Sequence, residues 1–402
     1  MSRYPNRLKT LEKQLAQLPS PPPQAQHHSQ RLVERIVDEI KQGGPITFER
    51  YMALALTAPG LGYYVAGNHK LGAAGDFVTA PQISPVFSRC LARQCEAVLR
   101  ELQAQGPADI LEFGAGSGIM VADVLLELEQ RECLPGHYFI LEVSGELVER
   151  QRQTLQTKAP HLLSRVQWLD TLPKTAINGI VLANEVLDAL PVHRFYKEAA
   201  SAGECYVDWN GERFVWQHGP FSSPFVEQRV DALLEQLPSP YISELNLAAE
   251  AWVGSLGDIL QRGVVLIIDY GFPQKEYYHP QRCQGTLMCH YQHRAHDDPF
   301  VYPGLQDITA HVDFTAVAHA AHDAGLRLAG YNTQAFFLIA NGLEEFARSL
   351  DVEDPAYVKL AQQIKTLTMP GEMGELFKVM ALAKQFDQSL QGFALQDMRG
   401  RL

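Results

Sequence analysis

Residues 108–113 form a short apolar run that stops at Gly114-Ala115-Gly116-Ser117-Gly118 and resumes as a helical pattern over 119–132. This strand–glycine–helix passage constrains the chain more than any other. Glycine at such a turn permits positive φ and lets the backbone approach a ligand closely. The same grammar repeats downstream. Residues 138–143 read as a second strand, followed by a helix over 145–158; strands at 166–169, 179–183 and 264–268 follow. Strands alternating with helices predict an α/β fold, a Rossmann-like, mostly parallel sheet covered on both faces. Ligands of such sheets lie outside the carboxyl ends of the strands.

Around this core the organisation is less regular. Leu32, Val33, Ile36, Val37 and Ile40 fall at helical spacing, and Gly43-Gly44-Pro45 ends that helix. Thr47 is a cap for the next one. A long helix over 85–103 completes a helical front section, residues 31–105. Residues 1–30 read as a flexible segment with a short leading helix and a loose linker at 19–28. Arg3, Arg7, Lys9 and Lys13 there faintly resemble a mitochondrial presequence, but Ser is sparse and a Pro run follows. The sheet domain is assigned to 106–194 and 262–384. Between these stretches, 195–261 reads as an α+β insertion over the active site, with a hairpin turning at Asn210-Gly211 in a type I′ turn and helices at 225–237 and 246–261. Helices at 314–324, 334–350 and 355–368, strands at 326–331 and 377–383, and a tail at 385–402 follow.

Composition removes several classes. Lys and Arg total 34 against 46 Asp and Glu, a formal net charge of −12, which argues against non-specific nucleic-acid binding. No apolar run approaches the roughly 20 residues of a membrane span. The six cysteines, at 90, 95, 133, 205, 283 and 289, form no C-x-x-C pair. They read as reduced thiols in a reducing compartment. His290, His293 and His296, with His311, Asp297, Asp298 and Asp307 nearby, do not have the H-x-x-x-H spacing of a helical metal pair. They are read as loop histidines, and no metal is expected.

The glycine loop narrows the cofactor. A dinucleotide fingerprint needs a third glycine at 119, where the chain has Ile119, and no Gly-Lys-Ser/Thr follows for a phosphate loop. Glu112, two residues before Gly114, would repel a pyrophosphate and welcome the sulfonium and ammonium of S-adenosylmethionine. Gly114, Ala115, Gly116 and Gly118 would cradle that cofactor. Glu142, at the second strand end, would accept from the ribose hydroxyls, and Asp170 would meet the adenine. The fourth strand delivers Asn184-Glu185-Val186-Leu187-Asp188-Ala189-Leu190-Pro191. Methyl transfer from a sulfonium depends mostly on positioning and on removing a proton from the acceptor. A guanidinium acceptor would be held bidentately by carboxylates. Glu185 is the first candidate, with Asn184 beside it lining both the cofactor and the reacting centre, and Glu244 is the second. The structural alternatives are a tight turn for the glycines, a helix cap for Asn184, a first-turn acid for Asp188 and a helix-start acid for Glu244.

Several segments together resemble the MidA family. They are Gly75-Asp76-Phe77-Val78-Thr79-Ala80-Pro81-Gln82-Ile83-Ser84-Pro85, the loop from Glu112 to Gly118, the segment from Asn184 to Pro191, Ile268-Asp269-Tyr270-Gly271-Phe272, Gly285-Thr286-Leu287, and the segment from Gln306 to Phe314. The resemblance runs from about residue 31 to 384. It implies a class I S-adenosylmethionine-dependent methyltransferase, and the family's mitochondrial members are protein arginine methyltransferases that assist assembly of respiratory complex I. It also implies an arginine-bearing protein substrate, and Asp76 and Thr79 at the cofactor mouth. Gln82 departs from the family pattern, which has Glu there. Two other readings stand beside the enzyme. One is an assembly factor using a methyltransferase fold as an interaction module; the other is an NAD-dependent oxidoreductase, disfavoured by Ile119; a homodimer is the oligomeric state weighed for the chain.

Overall fold

The computed structural model describes residues 18–66, 79–348 and 355–402. The chain divides into two compact units, one of residues 78–187, 249–274 and 312–402, the other of residues 1–77, 188–248 and 275–311.

The first unit is built on a sheet whose strands are β1 (Asp109–Phe113), β2 (Tyr138–Leu141), β3 (Val166–Leu169), β4 (Ile177–Asn184), β5 (Leu260–Phe272), β6 (Val312–Asp313), β7 (Arg327–Thr333) and β8 (Phe377–Lys384). Their order among the described residues is β3-β2-β1-β4-β5-β8-β7, with β6 beside β5. The strands from β3 to β5 run parallel, while β8 runs antiparallel to both β5 and β7. All five sequence-predicted parallel strands are present, the fourth and fifth longer than expected. Helix α1 (Pro85–Gln103) buries Val86, Phe87, Leu91, Cys95, Val98, Leu99 and Leu102 in the same core as Ile110, Ile140, Ile180 and Leu266. Its apolar stripe therefore places it with the sheet rather than with a separate front section. Helices α2 (Ile119–Gln130) and α3 (Gly145–Lys158) follow β1 and β2. Residues 385–402 are packed too: Phe386, Leu390 and Phe393 belong to this core, and Met398 N–H donates to Tyr331 O. The single helix expected over 334–350 is two, Gln334–Ala340 and Leu343–Arg348, parted at Gly342, whose φ is +81°.

In the second unit, the helix Pro23–Gly43 starts earlier than its apolar spacing suggested. Pro23 sits at its first position, where a missing N–H costs nothing, so most of the expected linker at 19–28 is helical; the leading helix lies outside the described residues. Thr47 caps Phe48–Thr57 by accepting from Arg50 N–H, as expected. These helices share a core with an antiparallel sheet of Ile46–Thr47, Ala202–Trp209, His193–Lys197 and Tyr241–Leu245, with Phe214–Gly219 beside Ala202–Trp209. The hairpin is present but its turn is not type I′. Trp209 pairs with Phe214, leaving a four-residue loop in which Asn210 Oδ1 accepts from Glu212 and Arg213 N–H. Gly211 has positive φ and Asn210 does not, whereas type I′ needs both. The histidine segment is a hairpin, Met288–Tyr291 with Arg294–His296, turning at Gln292 and His293, both at positive φ. His296 is buried there, its pKa pushed down to about 4 by burial. Every cysteine is a free thiol, and all but Cys283 are buried.

Candidate active site

The strand order reverses at β1 and β4, the place in open α/β sheets where ligands bind outside the carboxyl ends of the strands. Gly114, Gly116 and Gly118 leave β1 with φ of +61°, +52° and +77°, which side-chain-bearing residues adopt only with strain. The loop is anchored at several points. Gly114 N–H donates to Leu141 O at 3.1 Å and Gly118 N–H to Ala115 O at 2.8 Å. From α3, Thr154 Oγ1 donates to Ser117 O at 2.7 Å and Gln151 Nε2 to Gly116 O at 3.1 Å. A Cβ at Gly118 would stand 2.9 Å from Gln151 Cα, so the loop and α3 meet there without room for a methyl group.

Glu112 lies in β1 beneath this loop. It is 1% exposed and accepts a short hydrogen bond from Tyr138 Oη. Burial pushes its pKa up to about 8, against the lowering effect of Tyr138. The acid is thus internal rather than open at the loop mouth. Glu142 follows β2 directly. Its Oε1 accepts from Ser144 N–H at 2.9 Å and its Oε2 from Gln151 Nε2 at 3.0 Å. Asp170 follows β3, is exposed, and accepts from Thr171 Oγ1. Thr79 caps the short helix Ala80–Ile83, and its N–H donates to Gln82 Oε1 at 3.3 Å. Gln82 therefore performs a capping role that needs a carbonyl oxygen, not a charge. Asp76 lies outside the described residues.

The end of β4 carries the most unusual geometry. Asn184 Nδ2 donates to Glu185 Oε1 at 3.0 Å, while Asn184 Oδ1 is buried with no hydrogen-bond partner among the described residues. Glu185 has φ of +54°, held by its N–H donating to Ile268 O at 2.8 Å. A left-handed glutamate is uncommon, and such strain gathers at functional sites. Asp269 in β5, fully buried, accepts from Leu187 N–H and Tyr270 N–H, both at 2.9 Å, and so fixes the segment after Glu185. In the second unit, Glu244 finds an internal guanidinium instead of an acceptor's. It is fully buried, faces its cross-strand partner Arg194 at 3.5 Å, and accepts from Thr286 N–H and Oγ1. It is neither a helix-start acid nor a group open to substrate. Asp188, in that unit, is buried and its carbonyl accepts from Ala310 N–H.

Sequence reasoning missed Gln151 and Trp168. Gln151 is fully buried, and its Oε1 accepts from Trp168 Nε1 at 2.8 Å. The signal was available: Leu147, Gln151 and Leu155 are the buried positions of α3, four residues apart. A glutamine on an apolar stripe must find partners. Val143, 68% exposed beside Glu142, also escaped notice.

These residues fit S-adenosylmethionine on their own chemistry. The orphaned Asn184 Oδ1 is an acceptor lacking a donor, and Gly114 and Gly116 bring backbone without a side chain to the end of β1. Residues 90–332 match the model of a family described as "Putative S-adenosyl-L-methionine-dependent methyltransferase". The chain belongs to that family. This is the MidA family of the motif resemblance, and the protein is an S-adenosylmethionine-dependent methyltransferase. Among its relatives, protein arginine methyltransferase NDUFAF7, mitochondrial, of Danio rerio is 30% identical over 87% of this chain and 86% of its own length. The Homo sapiens protein of the same name is 30% identical over 90% of this chain and 85% of its own. A crystal structure from Burkholderia thailandensis, bound to S-adenosyl-homocysteine, is 43% identical, covers 96% of this chain and 100% of its own, and superposes with a TM-score of 0.91. No described helix is long and apolar enough to cross a membrane.

Proposed function

We propose that this MidA-family methyltransferase modifies arginine side chains of a protein substrate, one that belongs to a respiratory complex or a similar assembly. The observation that carries the proposal is Glu185, a carboxylate held at positive φ at the end of β4 by Asn184, Ile268 and, one step further along, Asp269. The cofactor, when bound, supplies an electrophilic methyl group. Gly114, Ala115, Gly116 and Gly118 would lie against it, Glu142 would hold its ribose, and Asn184 Oδ1 would accept from its ammonium. Glu112 sets the base of the loop. Thr79 and Asp170 are proposed at the rim.

Glu185 receives the acceptor. A guanidinium is protonated under all ordinary conditions; a carboxylate against two of its nitrogens localises charge there, leaves the third nitrogen more nucleophilic and takes the proton that the guanidinium sheds on methylation. Asn184, donating to one oxygen of Glu185, orients the carboxylate. Sequence similarity over most of the chain to relatives named protein arginine methyltransferases supports the acceptor class. The reduced, mostly buried thiols fit a reducing compartment.

The test is mass spectrometry of proteins captured on the chain, with and without S-adenosylmethionine. Added mass of one methyl on an arginine of a captured protein is the expected result. Captured proteins modified only on other residues would exclude the arginine assignment.

A further inference from the structure

We infer that Gln151 is a positioning residue for cofactor binding, coupling the glycine loop to the ribose carboxylate through one amide. The inference rests on the proposed role of Glu142. One buried side chain makes three hydrogen bonds to three different segments. Nε2 donates to Gly116 O, in the loop after β1, at 3.1 Å and to Glu142 Oε2, after β2, at 3.0 Å. Oε1 accepts from Trp168 Nε1, in β3, at 2.8 Å.

The indole fixes the orientation of the amide. Indole N–H is donor only, so Oε1 must face Trp168 and Nε2 must face the loop and Glu142. Both protons of Nε2 are then directed, one to each. Trp168 itself is braced from its face by Arg152, whose guanidinium carbon lies 4.3 Å from the ring centroid. The close approach of Gly118 to Gln151 Cα keeps α3 pressed on the loop, so the amide cannot withdraw. The result is a rigid link: a shift of Gly116 or of Glu142 disturbs the other. Groups that orient direct ligands in this way are often worth 10- to 100-fold in affinity in metal sites, and a similar loss is expected here.

Substitution discriminates this role from simple packing. Gln151→Glu keeps the shape but puts a carboxylate oxygen where Nε2 donated, against Glu142 and Gly116 O. Two facing carboxyls share a proton, so one titrates upward. The Kd for S-adenosyl-homocysteine, measured by calorimetry between pH 5.5 and 8.5, should rise at least tenfold at pH 8.5 and recover toward wild type at pH 5.5. Gln151→Met, of similar volume and without the amide, should lose affinity equally at both pH values. It also serves as the second variant if Gln151→Glu fails to fold by circular dichroism. Wild-type Kd, within twofold, in a folded Gln151→Met variant would overturn the inference. So would a pH-independent loss in a folded Gln151→Glu variant. The underlying role of Glu142 is checked separately: if Glu142→Gln binds like wild type, the ribose assignment fails, whereas unchanged affinity confined to the Gln151 variants removes the coupling alone.

Discussion

Asn184 gives its amide N–H to Glu185 Oε1 at 3.0 Å and keeps its own Oδ1 buried without a partner among the described residues. A buried acceptor left unsatisfied costs about 1–3 kcal/mol, and a left-handed glutamate about 1–2 more. Both penalties fall on adjacent residues at the end of one strand. A cofactor donor and an acceptor side chain are what would relieve or use them.

Glu185→Gln should bind S-adenosyl-homocysteine within about threefold of wild type yet lose about 10²- to 10⁴-fold in kcat, the range for a missing group that handles the acceptor's proton. Backbone strain is separable from this. Glu185→Ala and Glu185→Gly both remove the side chain, but at φ of +54° glycine should be the more stable by about 1 kcal/mol. Thermal denaturation of the two variants checks the difference; equal melting temperatures would deny the strain.

Two glycines of the loop should behave differently. Gly118→Ala combines positive φ with a Cβ 2.9 Å from Gln151 Cα, and should cost well over about 1 kcal/mol and abolish cofactor binding. Gly114→Ala meets only Val186 Cγ2 at 3.6 Å, an ordinary contact, and should cost only the roughly 1 kcal/mol of its φ. Denaturant titration of both variants reads the ranking.

Glu112 predicts a pH dependence. Its pKa is about 8 in the folded protein against 4.5 for the ordinary group. Between these values the folded state holds a proton that the unfolded state has released. Stability from this group therefore falls as pH rises from about 4.5 to about 8, by at most about 1.4 kcal/mol per pH unit, and levels off above. Glu112→Gln should match wild type near pH 4.5, gain on it progressively to pH 8, and hold a constant lead beyond. Chemical denaturation at pH 5, 7 and 9 measures the gap.

Asp269 holds two backbone N–H groups from inside the protein. Asp269→Ala leaves both without this acceptor and should destabilise by several kcal/mol, at about 1–3 for each group. Asp269→Asn retains one acceptor oxygen and should lose less. In Asp269→Asn, kcat should fall more than the cofactor Kd changes, because the variant loosens the Glu185 segment and not the glycine loop.

Much of this was legible in the chain, for identifiable reasons. Buried parallel strands are continuous apolar runs, so 179–183 and 264–268 stand out in the sequence. Strands His193–Lys197 and Tyr241–Leu245 do not, because Arg194, Lys197 and Glu244 break the apolar pattern. Arg194 faces Glu244 across the sheet and Lys197 Nζ donates to Leu234 O and Leu237 O, and only pairing in three dimensions shows that. For the same reason Glu244 read as an active-site acid. The positions of Glu142 and Glu185 at strand ends followed from spacing, but the left-handed turn at Glu185 has no sequence mark, since glycine or asparagine is the usual occupant. Gln82 stands where the family pattern has Glu, and its capping bond to Thr79 explains why an amide serves.

The most direct test of arginine methylation follows the methyl group itself. The full chain is incubated with cell extract and methyl-labelled S-adenosylmethionine, and the labelled protein is hydrolysed and its amino acids separated. The account predicts label eluting as methylarginine with the wild-type chain and an initial rate of labelling at least about a hundredfold lower with Glu185→Gln. Label recovered in a different amino acid, or an equal initial rate of methylarginine labelling from Glu185→Gln, would contradict it.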